Sequence, residues 1–196
     1  RKGSALYQLE ITGKAAHAGI EPQRGVSAVL ELSHQVQAVH ALNDYERGTT
    51  VNIGVVAGGT RSNVVPASAE AVINVRAETV AEADRIRRAL TELEPVLPGA
   101  RLSVVVGLSR PPLERTPASG RLFERAKAIA ASTGVADLGE GSTGGGSDGN
   151  LVAAIGVPTL DGLGPEGGGA HADDEHVLVE SLPRRAALIA GLLAEV

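Results

Sequence analysis

A chain of 196 residues, 43% of them apolar and with a formal charge of −5, is long enough for one comfortable domain or two small ones. Aromatic residues make up only 2%, which counts against stacking platforms for single-stranded nucleic acid, and 18 basic against 23 acidic groups leave no basic stripe. The absence of cysteine excludes thiol catalysis, disulfides and thiolate zinc sites, and no apolar run approaches a membrane span.

The N-terminus, RKGSALYQLEI, alternates like a strand and lacks the apolar block of a signal peptide. It reads as an internal start, and the expected compartment is the cytoplasm. Leu6–Thr12 is a predicted strand. A glycine-punctuated turn from Gly13 to Gly19 leads past Pro22 into a predicted helix over Arg24–Leu42, whose apolar stripe is Val26, Val29, Leu32, Val36 and Val39. Thr50–Ala57 is the second strand, closed by the turn Gly58-Gly59, and Ala69–Ala77 is the third, with Asn74 and Arg76 on its polar face.

Thr79 and Glu82 have the spacing of a capping box. The helix they open points Ala83, Ile86, Leu90 and Leu93 inward and Glu82, Arg85, Arg88 and Glu92 largely outward, and Pro95 and Pro98 close it. Leu102–Val106 is the fourth strand. The order is βαββαβ, a ferredoxin-like split pair of βαβ units with two helices covering one sheet, assigned to residues 1–110.

Residues 111–196 follow a different logic and hold 6 basic against 12 acidic groups. Ala118–Ser132 is a predicted helix with Leu122, Ala126 and Ile129 as its apolar row. Gly139–Gly149 is loop, Leu151–Ile155 a short helix and Val157–Leu160 a buried-type strand. Gly162–Gly169 is loop again, and Glu180–Ala194 a final helix. A lone buried strand needs partners for its backbone groups, so this region reads as the tail of an α/β domain whose other strands lie elsewhere.

Several side chains could carry chemistry. His171 precedes Ala172, Asp173, Asp174 and Glu175, a setting that suits either a metal ligand oriented by carboxylates or a surface histidine in an acidic loop. His17 stands where the first strand ends, in a segment that presents a side chain or merely satisfies it. His34 and His40 lie on the first helix, and His176 faces solvent or packs at the end of the loop. Asn63, in GGTRSNVVP, caps a turn or donates to a substrate oxygen. Arg76 pairs with an acid on the sheet surface, and Arg110 binds a carboxylate bidentately or bridges two regions. The run Gly144, Gly145, Gly146 can cradle an anion or line a narrow cleft, but it lacks the lysine and hydroxyl of a nucleotide-binding loop. Ser142 and Ser147 lack a convincing histidine–acid arrangement.

Taken in order, TGKAAHAG around His17, GGTRSNVVPASAEAVINVR from Gly58 to Arg76, LSRPP around Arg110, STGGGSD at Ser142–Asp148 and GGAHADDE ending at Glu175 closely resemble the second half of the M20 metallopeptidases, especially the glutamate carboxypeptidases. The resemblance implies that residues 1–110 are a lid or dimerisation domain and that residues 111–196 are the incomplete C-terminal portion of an α/β metallopeptidase catalytic domain. It implies that His171 is one ligand of a two-zinc site. It further implies that His17 stabilises a tetrahedral oxyanion, in many members within the partner subunit's site. Asn63, Arg110 and Gly144–Gly146 would contact substrate, with Arg76 in support.

The early His-x-Asp segment, the bridging aspartate and the Glu-Glu pair of the complete pattern have no counterpart here. The expectation is therefore a fragment of a zinc-dependent carboxypeptidase or amidohydrolase that acts next to a free carboxylate and is inactive as the isolated chain. Its expected partners are a small carboxylated peptide or N-acyl amino acid and, through residues 1–110, a second copy. The competing expectation is a noncatalytic dimerisation or regulatory module.

Overall fold

The computed structural model describes residues 1–135 and 138–195, which divide into two compact units. The first comprises Arg1–Glu114 with Thr143–Gly146, and the second Arg115–Ser142 with Ser147–Val196.

In the first unit, β1 (Gly3–Thr12), α1 (Ala28–His40), β2 (Thr50–Gly58), β3 (Ser68–Ala77), α2 (Val80–Thr91) and β4 (Arg101–Arg110) follow in the predicted βαββαβ order. The sheet is wholly antiparallel, in the order β2-β3-β1-β4. Alternation along β1 and β3 sends Tyr7, Leu9, Ile11, Ala71, Ile73 and Val75 to one face, where they pack against Leu32 and Val39 of α1 and Ile86 and Leu90 of α2. The edge strands are less regular. Register slips by one residue between Ile53 and Val55 in β2, and between Ala5 and Tyr7 where β1 meets β4, so each edge carries a bulge.

The helices depart from the sequence reading in instructive ways. Residues Pro22–Arg24 form a separate 3-10 turn, and α1 begins only at Ala28 because the Ser27 hydroxyl accepts from Leu30 N–H and caps it there. Its inward stripe is Ala28, Glu31, Leu32, Gln35 and Val39, with Val29 exposed. Buried Glu31 accepts hydrogen bonds from Val96 N–H, Leu97 N–H and the Gln35 amide, so a carboxylate replaces apolar contact as the tie to residues 94–97. Glu82 is likewise not an outward residue: it is 6% exposed. Thr79 accepts from Glu82 N–H, but the Glu82 carboxylate does not complete a capping box. It accepts instead from Thr49, Arg47 and Arg85, stapling α2 to the start of β2. That α2 stops at Thr91, before Pro95, is the ordinary effect of chain turning ahead of proline.

The second unit contains α3 (Pro117–Thr133), α4 (Gly149–Ala154), a two-residue ladder of β5 (Gly167–Gly168) and β6 (His176–Val177), and α5 (Ser181–Ala194). Its small core joins Ile129, Ala130, Val135 and Leu188. Thr116 and Ser119 cap α3 reciprocally, and Gly134, with φ 76°, ends it in the left-handed conformation that glycine adopts without strain. Val157–Leu160 is not a strand: no ladder partner meets it among the described residues, and Val157 is 46% exposed. The segment Gly162–Gly169, expected as loop throughout, ends in β5. No described helix is long and apolar enough to cross a membrane.

Candidate functional site

Beyond Thr12, β1 loses its regular ladder but stays beside the segment preceding β3. Gly13 N–H donates to Ala67 C=O, Val65 N–H to Ala16 C=O and Ala18 N–H to Asn63 C=O, so His17 and Val64 form an antiparallel bridge. Gly13 permits this path, since a Cβ there would run into the Val26 carbonyl oxygen. The result brings His17 and Asn63, distant in sequence, side by side on an exposed tip. The Gly19 N–H donates to His17 Nδ1 at 3.2 Å. A neutral His17 must then carry its proton on Nε2, directed away from its own turn and available as a donor.

At the opposite end of β1 a second group forms. Ser4 pairs with Arg76 of β3 on one side and Arg110 of β4 on the other, so the three residues stand in a row on the helix-free face. The Thr143–Gly146 loop lies against this row. Lys2 N–H donates to Thr143 C=O at 3.0 Å, and the Arg1 guanidinium donates to Gly145 C=O at 3.1 Å. A Cβ added to Gly146 would meet Arg110 Cδ at 3.7 Å and Ser4 Oγ at 3.9 Å, ordinary contact distances. None of Gly144, Gly145 and Gly146 has a positive φ, so neither backbone strain nor collision demands glycine there. Their missing side chains leave open surface instead.

The two groups do not meet within one chain. Ser4 and Thr12 are separated by almost the length of β1, roughly 25–30 Å at the usual rise of a strand, and His17 and Asn63 lie beyond Thr12.

His171 belongs to the second unit, in the turn between β5 and β6. With φ 67° it is the one non-glycine among the described residues in the left-handed region, a conformation that costs energy and marks a position held by its surroundings. Ala172 N–H donates to Gly169 C=O, and His176 Nδ1 lies 2.9 Å from the Asp174 carbonyl oxygen. Among the described residues no group of three histidine, aspartate or glutamate side chains could hold a metal ion. His171 and its acidic neighbours therefore do not by themselves fit a two-zinc centre.

One structural feature escaped sequence reasoning. Tyr7, read only as a strand residue, lines a cleft of about 170 Å³ with Arg110, Asp84 and Arg87. Its odd-numbered place on the inward face of β1 was the only available signal.

Comparison with known proteins bears on the family and the fold. The M20 family model of the peptidase dimerisation domain matches residues 1–94. Carboxypeptidase G2 of Pseudomonas sp. (strain RS-16) is 33% identical over 98% of this chain and 47% of its own length. One of the p-aminobenzoyl-glutamate hydrolase subunits of Escherichia coli (strain K12) is 39% identical over 36% of this chain and 16% of its own length. The crystal structure of aminopeptidase PepT from Bacillus cereus ATCC 10987 superposes with a TM-score of 0.75 at 27% identity, covering 99% of this chain and 52% of that one. The chain spans about half the length of the curated relatives it matches along nearly its whole extent, 47% and 51%. It belongs to the M20 metallopeptidase family, with the dimerisation domain of that family in residues 1–94.

Proposed function

We propose that this stretch serves a hydrolase that cleaves an amide or peptide bond next to a free carboxylate, and that it works as a homodimer in which His17 and Asn63 of one copy complete the site holding Arg110 of the other. The observation that carries this reading is the separation along β1. A small substrate spans nothing like roughly 25 Å, so the two groups can share one only when they come from different chains. A symmetric pair related by a twofold axis provides two such sites.

In this arrangement the Arg110 guanidinium binds the substrate carboxylate with two parallel hydrogen bonds and fixes its orientation. Arg76, two strands away in the same row, supports the positive field there. The Gly144–Gly146 surface leaves room for the substrate side chain. His17 donates from Nε2 to the carbonyl oxygen as water adds to the carbon and negative charge develops, a contact that strengthens in the transition state. Asn63 donates to a neighbouring substrate oxygen. The C–N bond then breaks, leaving a carboxylate and an amine. The names of the carboxypeptidase and aminobenzoyl-glutamate hydrolase relatives support a carboxylated peptide or an N-acyl amino acid as substrate.

His171, held in a left-handed backbone, is proposed as one donor to a zinc ion. Its remaining donors would lie in the part of the relatives' length that this chain does not span. The residues here do not complete such a centre, so the isolated chain is expected to be inactive.

The test is complementation in the full-length gene product. His17→Ala and Arg110→Ala are each expected to lower kcat/KM on an N-acyl glutamate by a factor of about one hundred or more. Mixing the two inactive variants under subunit exchange should restore about a quarter of the activity, because half the dimers are mixed and each has one intact site. If exchange is verified and no activity returns, the shared-site reading is wrong.

A further inference from the structure

The chain has two Asp-Gly steps, Asp148-Gly149 and Asp161-Gly162, and no Asn-Gly step. In such a step the aspartyl side-chain carbon and the next backbone nitrogen can close a five-membered ring, and glycine puts no Cβ in the way. Whether the two atoms meet depends on how the fold holds them. Both steps lie in the second unit, and it holds them differently.

Asp161 and Gly162 are exposed. The Gly162 N–H is turned back onto the carboxylate of the residue before it and donates to Asp161 Oδ1 at 2.8 Å. Cγ lies one bond beyond that oxygen, so nitrogen and carbon are held near the roughly 3–3.5 Å of a pair poised to react. Gly162 has φ 78°, and a Cβ built on it would meet nothing within 4 Å, so the approach is open. The second carboxylate oxygen, Oδ2, accepts from the Ser147 hydroxyl at 2.6 Å. That short, charge-assisted bond fixes the carboxyl group and sets a proton beside the oxygen that has to leave. Ser147 is fixed in turn: its N–H donates to Oδ1 of buried Asn150 at 3.0 Å, and its Oγ accepts from Gly149 N–H at 3.1 Å.

The Asp148 step is arranged against the same reaction. Asp148 stands before α4 with helical φ and ψ of −69° and −20°, and its carbonyl accepts from Leu151 and Val152 N–H. The Gly149 amide that would have to attack is engaged by Ser147 Oγ.

We propose that Asp161 is a site of spontaneous backbone isomerisation in the folded chain, by way of a cyclic imide with Gly162. The Gly162 nitrogen attacks Asp161 Cγ, and the new C–N bond forms as the Cγ–Oδ2 bond breaks. Oδ2 departs as water, carrying the amide proton and one taken from solvent through the Ser147 hydroxyl. Water then opens the ring at either carbonyl, which regenerates aspartate or leaves the main chain running through Cγ. No oxidant, reductant or cofactor takes part. The β-linked product lengthens the main chain by one carbon between α4 and β5, in the segment that leads to His171. None of these steps draws on the hydrolytic reading or on a second copy.

Each passage through the ring leaves one solvent oxygen in the residue that reacted, so ageing in ¹⁸O-water marks it. The full chain, aged at neutral pH and body temperature, should show ¹⁸O and a β-linked residue at Asp161 by peptide mass spectrometry, with Asp148 about ten-fold behind. The chain unfolded in guanidinium chloride is the reference. There the two steps should react alike, and Asp161 about ten-fold more slowly than in the folded chain. Ser147→Ala, with its fold checked by circular dichroism, should slow uptake at Asp161 about ten-fold, as expected for one lost hydrogen bond to a charged group. The proposal is overturned if Asp161 reacts no faster folded than unfolded, if Asp148 matches it in the folded chain, or if Ser147→Ala leaves the uptake unchanged. The first two outcomes use the unaltered sequence and do not depend on how well Ser147→Ala folds.

Discussion

The two units bury their apolar residues to very different extents. In the first, two helices cover one face of a four-stranded sheet, and the cluster runs without a break from Ile11 through Ile73 to Leu90. In the second, α3 and α5 share a core built around Ile129 and Leu188, while Ile155, Val157, Val179 and Leu193 stay exposed. Apolar burial contributes about 25 cal/mol per Å² and must offset the entropy of ordering the chain. The first unit has a core of the kind that meets that requirement alone, and the second has less to set against it. The lesson is that one chain carries a self-sufficient domain beside a region whose apolar surface asks for further cover.

The sharpest way to break this comparison is a pair of core truncations. Leu9 and Leu188 are both fully buried, one in each cluster. Each change to alanine should cost about 3 kcal/mol of local stability. Under urea the full chain should unfold in two steps, the second unit first. Leu9→Ala should move only the later step and Leu188→Ala only the earlier. One transition displaced equally by both substitutions would show that the units form a single cooperative body.

A smaller effect follows from the buried carboxylates of the first unit. Hydrogen bonding by Arg85, helped by Thr49 and Arg47, outweighs the cost of burial and holds Glu82 at about 2, below its ordinary 4.5. At Glu31, burial by itself raises the pKa. The amide of Gln35 and the N–H groups of Leu97 and Val96 overcome this, so its net shift is also downward. A depressed pKa in the folded state contributes stability that is complete above about pH 4.5 and is lost as pH falls toward 2. The later unfolding step should therefore weaken across that window. Glu82→Gln should cost about 2 kcal/mol at neutral pH, the worth of hydrogen bonds to a charged group, and should flatten the acid slope. An unchanged slope in that variant would remove Glu82 as its source.

The same two carboxylates mark where the sequence stopped being informative. The strands β1 and β3 were legible because alternation is a local signal that directly reports the two faces of a sheet. Glu82 was read as outward because its helical neighbours are polar, and only the packing of α2 against β2 brings Thr49 and Arg47 to it. Val157–Leu160 has strand composition, but a strand exists only with a partner, and composition does not supply one. The candidate site divides in the same way. The individual residues His17, Asn63 and Arg110 could be singled out by type and setting. Their grouping depends on register: continuing the β1–β3 ladder past Thr12 places His17 beside Asn63, and at Ser4 the β1–β3 and β1–β4 ladders together align Arg76 with Arg110.

The smallest effects sharpen the comparison at the helix starts. Thr79 caps α2 with one hydrogen bond, from Glu82 N–H at 3.2 Å. Thr116 caps α3 more completely: it accepts from Ser119 N–H at 3.1 Å while Ser119 Oγ accepts from Thr116 N–H at 2.9 Å. Each threonine-to-alanine change should cost about 1 kcal/mol, since each leaves a helix-end amide without its side-chain acceptor. Their consequences should nevertheless differ. In the first unit Glu82 remains anchored by Arg85 and Thr49, so α2 should keep its hydrogen-exchange protection after Thr79→Ala except in its first turn. In the second unit α3 depends on its cap and on a short row of core contacts. Thr116→Ala should therefore raise exchange along most of the helix, as far as Ile129. Equal spread of exchange in the two helices would mean that the core around Leu188 supports α3 as firmly as the sheet supports α2.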